Sequence, residues 1–301
     1  MARLRPCSSV VASRPARAAA WLSQKLIVAL VSGAITSIAA VGFFYLLPSL
    51  FHGWVYFVHI GVATVVAFNL FWNFLACLCQ APGSPADSIV AHAHGQVPQG
   101  AYDNYSYCRR CRFVKPPQAH HCKVCGLCVM EMDHHCPFIN NCVGARNARH
   151  FLLFLFWLLL GCIYITVLSI VLMRYRWFDC IEAASDAWLS TPAESVGQVL
   201  SFSMRAMYGT PLWLSMTFYA LCMSGGALVG VGVLLVAQLR LAIRGQTYID
   251  QLRHGGSGAH SASAMANLRL VFGQGHPLLW LRPMWGRPVG VSPSDIESKR
   301  R

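Results

Sequence analysis

Four stretches of the chain run without a charged residue, Leu26–Leu47, Trp54–Leu78, Phe151–Met173 and Leu212–Val236, and the polar positions gather between them and at the two ends. An α-helix rises 1.5 Å per residue, so roughly 20 apolar residues cross the about 30 Å of hydrocarbon in a bilayer. Each run is long enough, and uncharged runs of 22 or more residues rarely serve as a buried helix of a soluble core. The pattern predicts an all-α membrane protein with four transmembrane helices. It divides the chain into a basic tail (1–25), helices one and two (26–79), a polar segment (80–150), helices three and four (151–237) joined by a loop over 174–210, and a second tail (238–301). No internal repeat stands out.

Composition agrees with that solvent. The chain of 301 residues is 55% hydrophobic and only 12% charged, which excludes an ordinary soluble domain. Its net charge of +13 is unevenly placed. Arg3, Arg5, Arg14, Arg17 and Lys25 precede helix one, seven Lys or Arg lie between helices two and three, and nine follow Leu239. The short turn after helix one has none, and the 174–210 loop sets three Arg against Asp179, Glu182, Asp186 and Glu194. Positive loops stay in the cytosol, so both termini and the polar segment are expected there and the 174–210 loop in the lumen. None of the four runs carries Asp, Glu, Lys or Arg, which argues against a transporter pathway.

The chemistry is concentrated in the polar segment. Cys108, Cys111, Cys122, Cys125, Cys128, Cys136 and Cys142 fall within it together with His120, His121, His134 and His135. In a reducing compartment such cysteines are thiolates held for metal or catalysis rather than disulfides. Closely spaced Cys and His suit tetrahedral Zn2+, which takes four ligands in a closed structural site. Two closed sites use eight of the eleven groups and leave His120, one histidine of the 134/135 pair and one cysteine. Cys136 closes the run Asp133-His134-His135-Cys136, so it is the thiol best placed beside a base that an acid can orient.

The pattern C-x2-C-x9-H-C-x2-C-x2-C-x4-D-H-H-C-x5-C-x4-N-x3-F, from Cys108 to Phe151, resembles the cysteine-rich domain of the DHHC protein S-acyltransferases, and the four-helix layout around it is similar too. The resemblance implies one Zn2+ on Cys108, Cys111, His121 and Cys128 and a second on Cys122, Cys125, His135 and Cys142. It also implies a catalytic set in which Asp133 orients His134, His134 serves as base and Cys136 becomes acylated. Several positions depart from the family pattern. Phe138 replaces Trp, Gln118 replaces Arg, Ala81-Pro82-Gly83 replaces Asp-Pro-Gly, and Thr247-Tyr248-Ile249-Asp250 replaces Thr-Thr-x-Glu. Asn267 matches the family's C-terminal asparagine.

The expected reaction takes palmitoyl-CoA or another long-chain acyl-CoA and passes its chain through Cys136 to cysteines of proteins presented close to the bilayer, in the endoplasmic reticulum or Golgi. Gly161 lies roughly 21 Å along helix three from Asn147 at 1.5 Å per residue, about the length of a palmitoyl chain, and is expected to line the acyl cavity. Arg146 and Arg149 are expected at the CoA phosphates. The alternative is a non-catalytic membrane zinc-binding scaffold, which needs no spare thiol. A nucleic-acid partner is not expected, because the four spans and the lack of a C-x2-C-x12-H-x3-H unit argue against it.

Overall fold

The computed structural model describes residues 14–85, 106–116, 118–176, 212–254 and 263–284. Most of the 174–210 loop and the ends of both tails lie outside the described residues. The main helices are α1 (Arg14–Val41), α2 (Leu47–Leu50), α3 (Gly53–Cys79), α4 (Ala148–Tyr175) and α5 (Leu212–Arg244), followed by the short α6 (Tyr248–His254) and α7 (Ala264–Phe272). Among the described residues, four helical stretches are long and apolar enough to cross a membrane, Trp21–Leu50, Gly53–Cys79, Ala148–Tyr175 and Leu212–Arg244. Each is longer than its uncharged run. The extension of α5 past Val236 matters most, because it carries Gln238.

Trp21–Leu50 owes its continuity to a π-helical turn, Gly42–Leu46, between α1 and α2. Pro48 cannot donate to the helix ladder and its ring crowds the carbonyl four residues earlier; the wider turn just before it relieves that clash. Gly42 sits in that turn because a Cβ there would lie 2.5 Å from Ile165 Cδ1.

By internal contacts the chain forms two units. One joins Gly33–Phe68 and Trp157–Gly232, the apolar bodies of the four spans. Leu46, Leu47, Ala63, Ile165, Leu168, Leu172 and Ala220 form its core. Hydrogen-bonded side-chain pairs tie its helices together: Ser37 with Tyr219 at 2.6 Å, His59 with Tyr164 at 2.7 Å and Thr166 with Ser224 at 2.8 Å. Polar groups in hydrocarbon are costly unless paired in this way.

The other unit gathers Asn69–Phe156 and Val233–Arg301 with Met1–Ser32. Between α3 and α4 it folds three antiparallel hairpins, each its own two-stranded sheet: β1 (Ser106–Cys108) with β2 (Phe113–Lys115), β3 (His120–Cys122) with β4 (Leu127–Val129), and β5 (His134–Cys136) with β6 (Asn141–Val143). The hydrophobic pattern gives no sign of these strands inside the cysteine-rich segment, because three residues are too short to show an alternating period.

The hairpins also correct the expectation of no repeat. Cys108, Cys122 and Cys136 each end a first strand and recur at fourteen-residue intervals. Each is followed by a four-residue turn that closes at positive φ, on Arg112 (55°), Gly126 (69°) and Asn140 (44°). The repeat is one of backbone, with only the cysteines and the His-His-Cys of β3 and β5 shared in sequence.

Candidate catalytic and metal centre

Hairpin geometry assembles two four-ligand clusters, Cys108, Cys111, His121 and Cys128, and Cys122, Cys125, His135 and Cys142. In the first, His121 Nδ1 lies 3.3 Å from Cys111 Sγ, 3.7 Å from Cys108 Sγ and 3.9 Å from Cys128 Sγ. In the second, His135 Nδ1 lies 3.3 Å from Cys125 Sγ and 3.7 Å from the sulfurs of Cys122 and Cys142, which is itself 3.5 Å from Cys125. A tetrahedron with Zn–S about 2.3 Å and Zn–N about 2.0 Å has edges of about 3.5–3.8 Å. The donor sets therefore fit a closed zinc site. Cross-strand pairing supplies half of each cluster, since His121 pairs with Cys128 and His135 with Cys142. A Cys-x2-Cys knuckle supplies the rest, with the N–H of Cys111 donating to Cys108 Sγ and that of Cys125 to Cys122 Sγ. In the second cluster hydrogen bonds from Cys125 and Cys142 hold the Cys122 thiol down, while Cys122 pushes both of theirs up. Three thiols this close ionise together only around a cation.

Strand alternation separates the two histidines of β5. Successive side chains point to opposite faces, so His134 and Cys136 share one face while His135 turns to the metal cluster on the other. Asp133, 8% exposed, holds His134. His134 Nδ1 donates to Asp133 Oδ2 at 2.6 Å, and its ring meets Phe151 edge-on at 5.4 Å. With Nδ1 engaged, Nε2 is the nitrogen free for the Cys136 thiol. Burial pulls the His134 imidazolium down, but hydrogen bonds to Asp133 and Cys136 outweigh it and raise the group to about 9. Burial pushes the Asp133 carboxyl up, and hydrogen bonds from His134, the Tyr248 N–H and Gln238 more than offset that, leaving it below the usual carboxylate range.

Three buried or half-buried asparagines and one glycine hold this centre to the helix ends. Asn141 Nδ2 donates to the carbonyls of Cys77 and Gln80 at 2.9 and 2.8 Å, satisfying the C-terminal end of α3, while its Oδ1 accepts from Cys142 N. Asn147 Oδ1 accepts from Gly144 N, and its Nδ2 donates to Cys142 O. Gly144 admits no side chain, since a Cβ would lie 2.8 Å from the carbonyl oxygens of Met130 and Pro82. Asn267 Nδ2 donates to Ile243 O at 2.9 Å, packing against Gly245.

The altered 247–250 motif still packs under the centre. Thr247 Oγ1 accepts from Asp250 N and Asp250 Oδ2 accepts from Thr247 N, a reciprocal cap that starts α6. Ile249 packs on the cluster formed by Cys122, Val129, Met132 and Cys142, and Tyr248 N donates to Asp133 Oδ1 at 2.6 Å. That last contact and Gln238 were not found from sequence: a backbone donor leaves no residue signature, and a lone glutamine at the end of an apolar run carries none either.

The remaining candidates are dispersed. His120 is buried, and burial with the nearby Arg253 and Lys115 pushes it down to about 4. Gly161 faces Val66, whose Cγ1 would be 3.6 Å from an added Cβ. Arg146 is half-buried beside Gly83. Arg149 is corrected outright: at 2% exposure its Nη2 donates to Trp280 O and Arg282 O, both at 2.9 Å, so it clamps the C-terminal tail and is not an open cation for CoA.

Comparison with known proteins agrees with this geometry. The family profile described as DHHC palmitoyltransferase matches residues 101–255. The chain is similar to the probable protein S-acyltransferase 12 of Arabidopsis thaliana, 33% identical over 45% of this chain and 48% of that protein. It is similar to the palmitoyltransferase ZDHHC2 of Rattus norvegicus, 37% identical over 36% of this chain and 30% of that protein. With the palmitoyltransferase ZDHHC20 of Mus musculus the identity is 32% over 42% of this chain and 41% of that protein. The chain thus spans less than half the length of each of these relatives.

Proposed function

The chain belongs to the DHHC palmitoyltransferase family, and from that premise we propose that it is a protein S-acyltransferase working through an acyl-enzyme at Cys136. The observation that carries the reading is the Asp133–His134 hydrogen bond of 2.6 Å beside a cysteine that neither metal cluster includes. His134 Nε2 takes the thiol proton, with the imidazolium steadied by Asp133. The Cys136 thiolate adds to the thioester carbonyl of a long-chain acyl-CoA such as palmitoyl-CoA. The CoA sulfur leaves with the proton that His134 returns, and a thioester on Cys136 remains. A cysteine of a protein held near the bilayer then gives its proton to His134 and takes the acyl group, one thioester being exchanged for another. Two Zn2+, when bound to the ligand sets Cys108, Cys111, His121, Cys128 and Cys122, Cys125, His135, Cys142, supply folding energy that holds β5 in place.

In this reading Arg146 helps to neutralise the CoA phosphates, and Gly161 gives room to the end of the acyl chain. Both termini and the hairpins face the cytosol, as the charge distribution supports, and the membrane is that of the endoplasmic reticulum or Golgi. Incubating the purified, zinc-loaded protein with labelled palmitoyl-CoA is the test. Label released by hydroxylamine and mapped to Cys136 is the expected result; no thioester label would leave only a zinc scaffold. Gly161→Phe should shift uptake toward shorter chains at preserved short-chain activity, and competition between acyl-CoAs of different length reads it; an unchanged profile would remove Gly161 from the acyl space.

A further inference from the structure

Asp133 is held by more than the base it orients. Its Oδ2 accepts from both His134 Nδ1, at 2.6 Å, and Gln238 Nε2, at 3.0 Å, while its Oδ1 takes the Tyr248 N–H. Gln238 reaches the carboxylate from the end of α5, beyond the uncharged run, where buried Leu235 and Leu241 fix how the helix is turned. On that helix Gln238, Leu241 and Ala242 share one face, and with Gly245 just past the helix end they line a cavity of about 90 Å³ that Asp133 also borders. A space of that size beside a carboxylate and an amide is polar and roomy enough for water.

We propose that Gln238 is a positioning residue for acyl transfer, whose side-chain amide fixes Oδ2 of Asp133 so that the carboxylate keeps the His134 ring turned with Nε2 toward Cys136. One carboxylate oxygen with two fixed donors has little freedom to rotate. Without the amide, water from the cavity becomes the second donor; it is mobile, competes with His134 for Oδ2, and lets the carboxylate swing. Tyr248 N holds only the other oxygen and does not replace the amide. The proposal rests on the acyltransferase reading above.

Two substitutions separate the amide from its volume. Gln238→Met keeps length and removes the donor; Gln238→Glu keeps shape and sets an acceptor against Oδ2. In zinc-loaded protein the rate of Cys136 acylation should fall about tenfold in the first and about a hundredfold in the second, with KM for palmitoyl-CoA within about twofold of wild type, as for an interaction that acts in the chemical step. In an Asp133→Asn background Gln238→Met should cost nothing further. A wild-type rate in Gln238→Met, losses that multiply with Asp133→Asn, or a change confined to KM would overturn the proposal. Loss of zinc from both single variants would overturn it too, making Gln238 a structural residue. Wild-type protein that takes no label at all would instead sink the acyltransferase reading itself.

Discussion

Strands β3 and β5 both read His-His-Cys, both pair with a strand whose central residue is a cysteine, and both run into a four-residue turn closed at positive φ, yet Cys122 joins a metal cluster and Cys136 does not. The difference lies on either side of the triplet. Three residues after Cys122 stands Cys125, whose N–H donates to Cys122 Sγ at 3.3 Å and whose thiol completes a knuckle. Three residues after Cys136 stands Ile139, 1% exposed, so the same turn offers no second thiol. Ahead of the triplets, Ala119 gives His120 no partner, whereas Asp133 anchors His134. One backbone device thus puts a cysteine in a metal cluster in one copy and leaves it outside, beside an Asp–His pair, in the other, according to one residue downstream and one upstream.

The harshest way to break the comparison is to exchange sulfur for oxygen in each copy. Cys136→Ser should abolish hydroxylamine-labile acylation, a loss of at least about a thousandfold because a hydroxyl is far harder to ionise than a thiol, with both metals retained. Cys122→Ser should lose one Zn2+ and unfold the hairpins. Metal analysis alongside acyl labelling distinguishes them, and a Cys136→Ser protein that loses zinc would erase the distinction between the two copies.

Removing the upstream carboxylate is the next largest change. Asp133→Asn leaves the shape but lets the His134 ring take the wrong tautomer, and activity should fall by about 10²–10⁴. His120→Ala, the corresponding histidine of the other copy, should keep acylation within about twofold. Should His120→Ala prove as damaging as His134→Ala in zinc-loaded protein, β3 would be part of the reacting centre.

Much of the helical layout and of the metal clusters was legible in the sequence, for identifiable reasons. Uncharged runs of helix length have one solvent, so the four spans were plain, and a surplus of three ligands over two closed sites pointed to a spare thiol. The residue-by-residue ligand sets came from the family pattern, and cross-strand pairing explains them afterwards. What stayed hidden depends on three-dimensional contact. Strands of three residues leave no period, and the turns close on Arg112, Gly126 and Asn140, chemically unlike residues that share only a backbone angle. Arg149 reads as one more surface cation, and nothing in its neighbours announces the two tail carbonyls it binds.

Acidity gives a subtler contrast, because the two leading histidines are displaced in opposite directions. His120 is pushed down from 6.5 to about 4 on folding, so the stability it contributes is present above pH 6.5 and is lost as the pH falls toward 4. His134 is raised from 6.5 to about 9, so its contribution is complete below pH 6.5 and is lost as the pH rises through 9. The melting temperature of wild type relative to His120→Asn should decline on acidification, and relative to His134→Asn on going alkaline, by about 2–4 °C for each kcal/mol of linked stability. Thermal unfolding across pH in saturating zinc measures both slopes. Slopes of the same sign would mean that the two histidines sit in equivalent surroundings after all.

The smallest effect is expected at Tyr248, where the chain departs from the family's Thr-Thr-x-Glu. Its bond to Asp133 is made by the backbone N–H at 2.6 Å, and its side chain is 46% exposed. The identity of that side chain should therefore matter little to the carboxylate that sets β5 apart from β3. Tyr248→Thr, which restores the family residue, should change the acylation rate by less than about twofold, in line with substitutions at exposed positions. Tyr248→Pro is the informative counterpart. The residue is the first of α6, where proline is tolerated because its missing N–H has no partner within the helix, so the substitution deletes one donor to Asp133 and leaves the helix intact. If the backbone N–H is what counts, the proline variant slows acylation while the threonine variant does not; a rate that follows the side chain instead would show that Tyr248 serves the site through its ring.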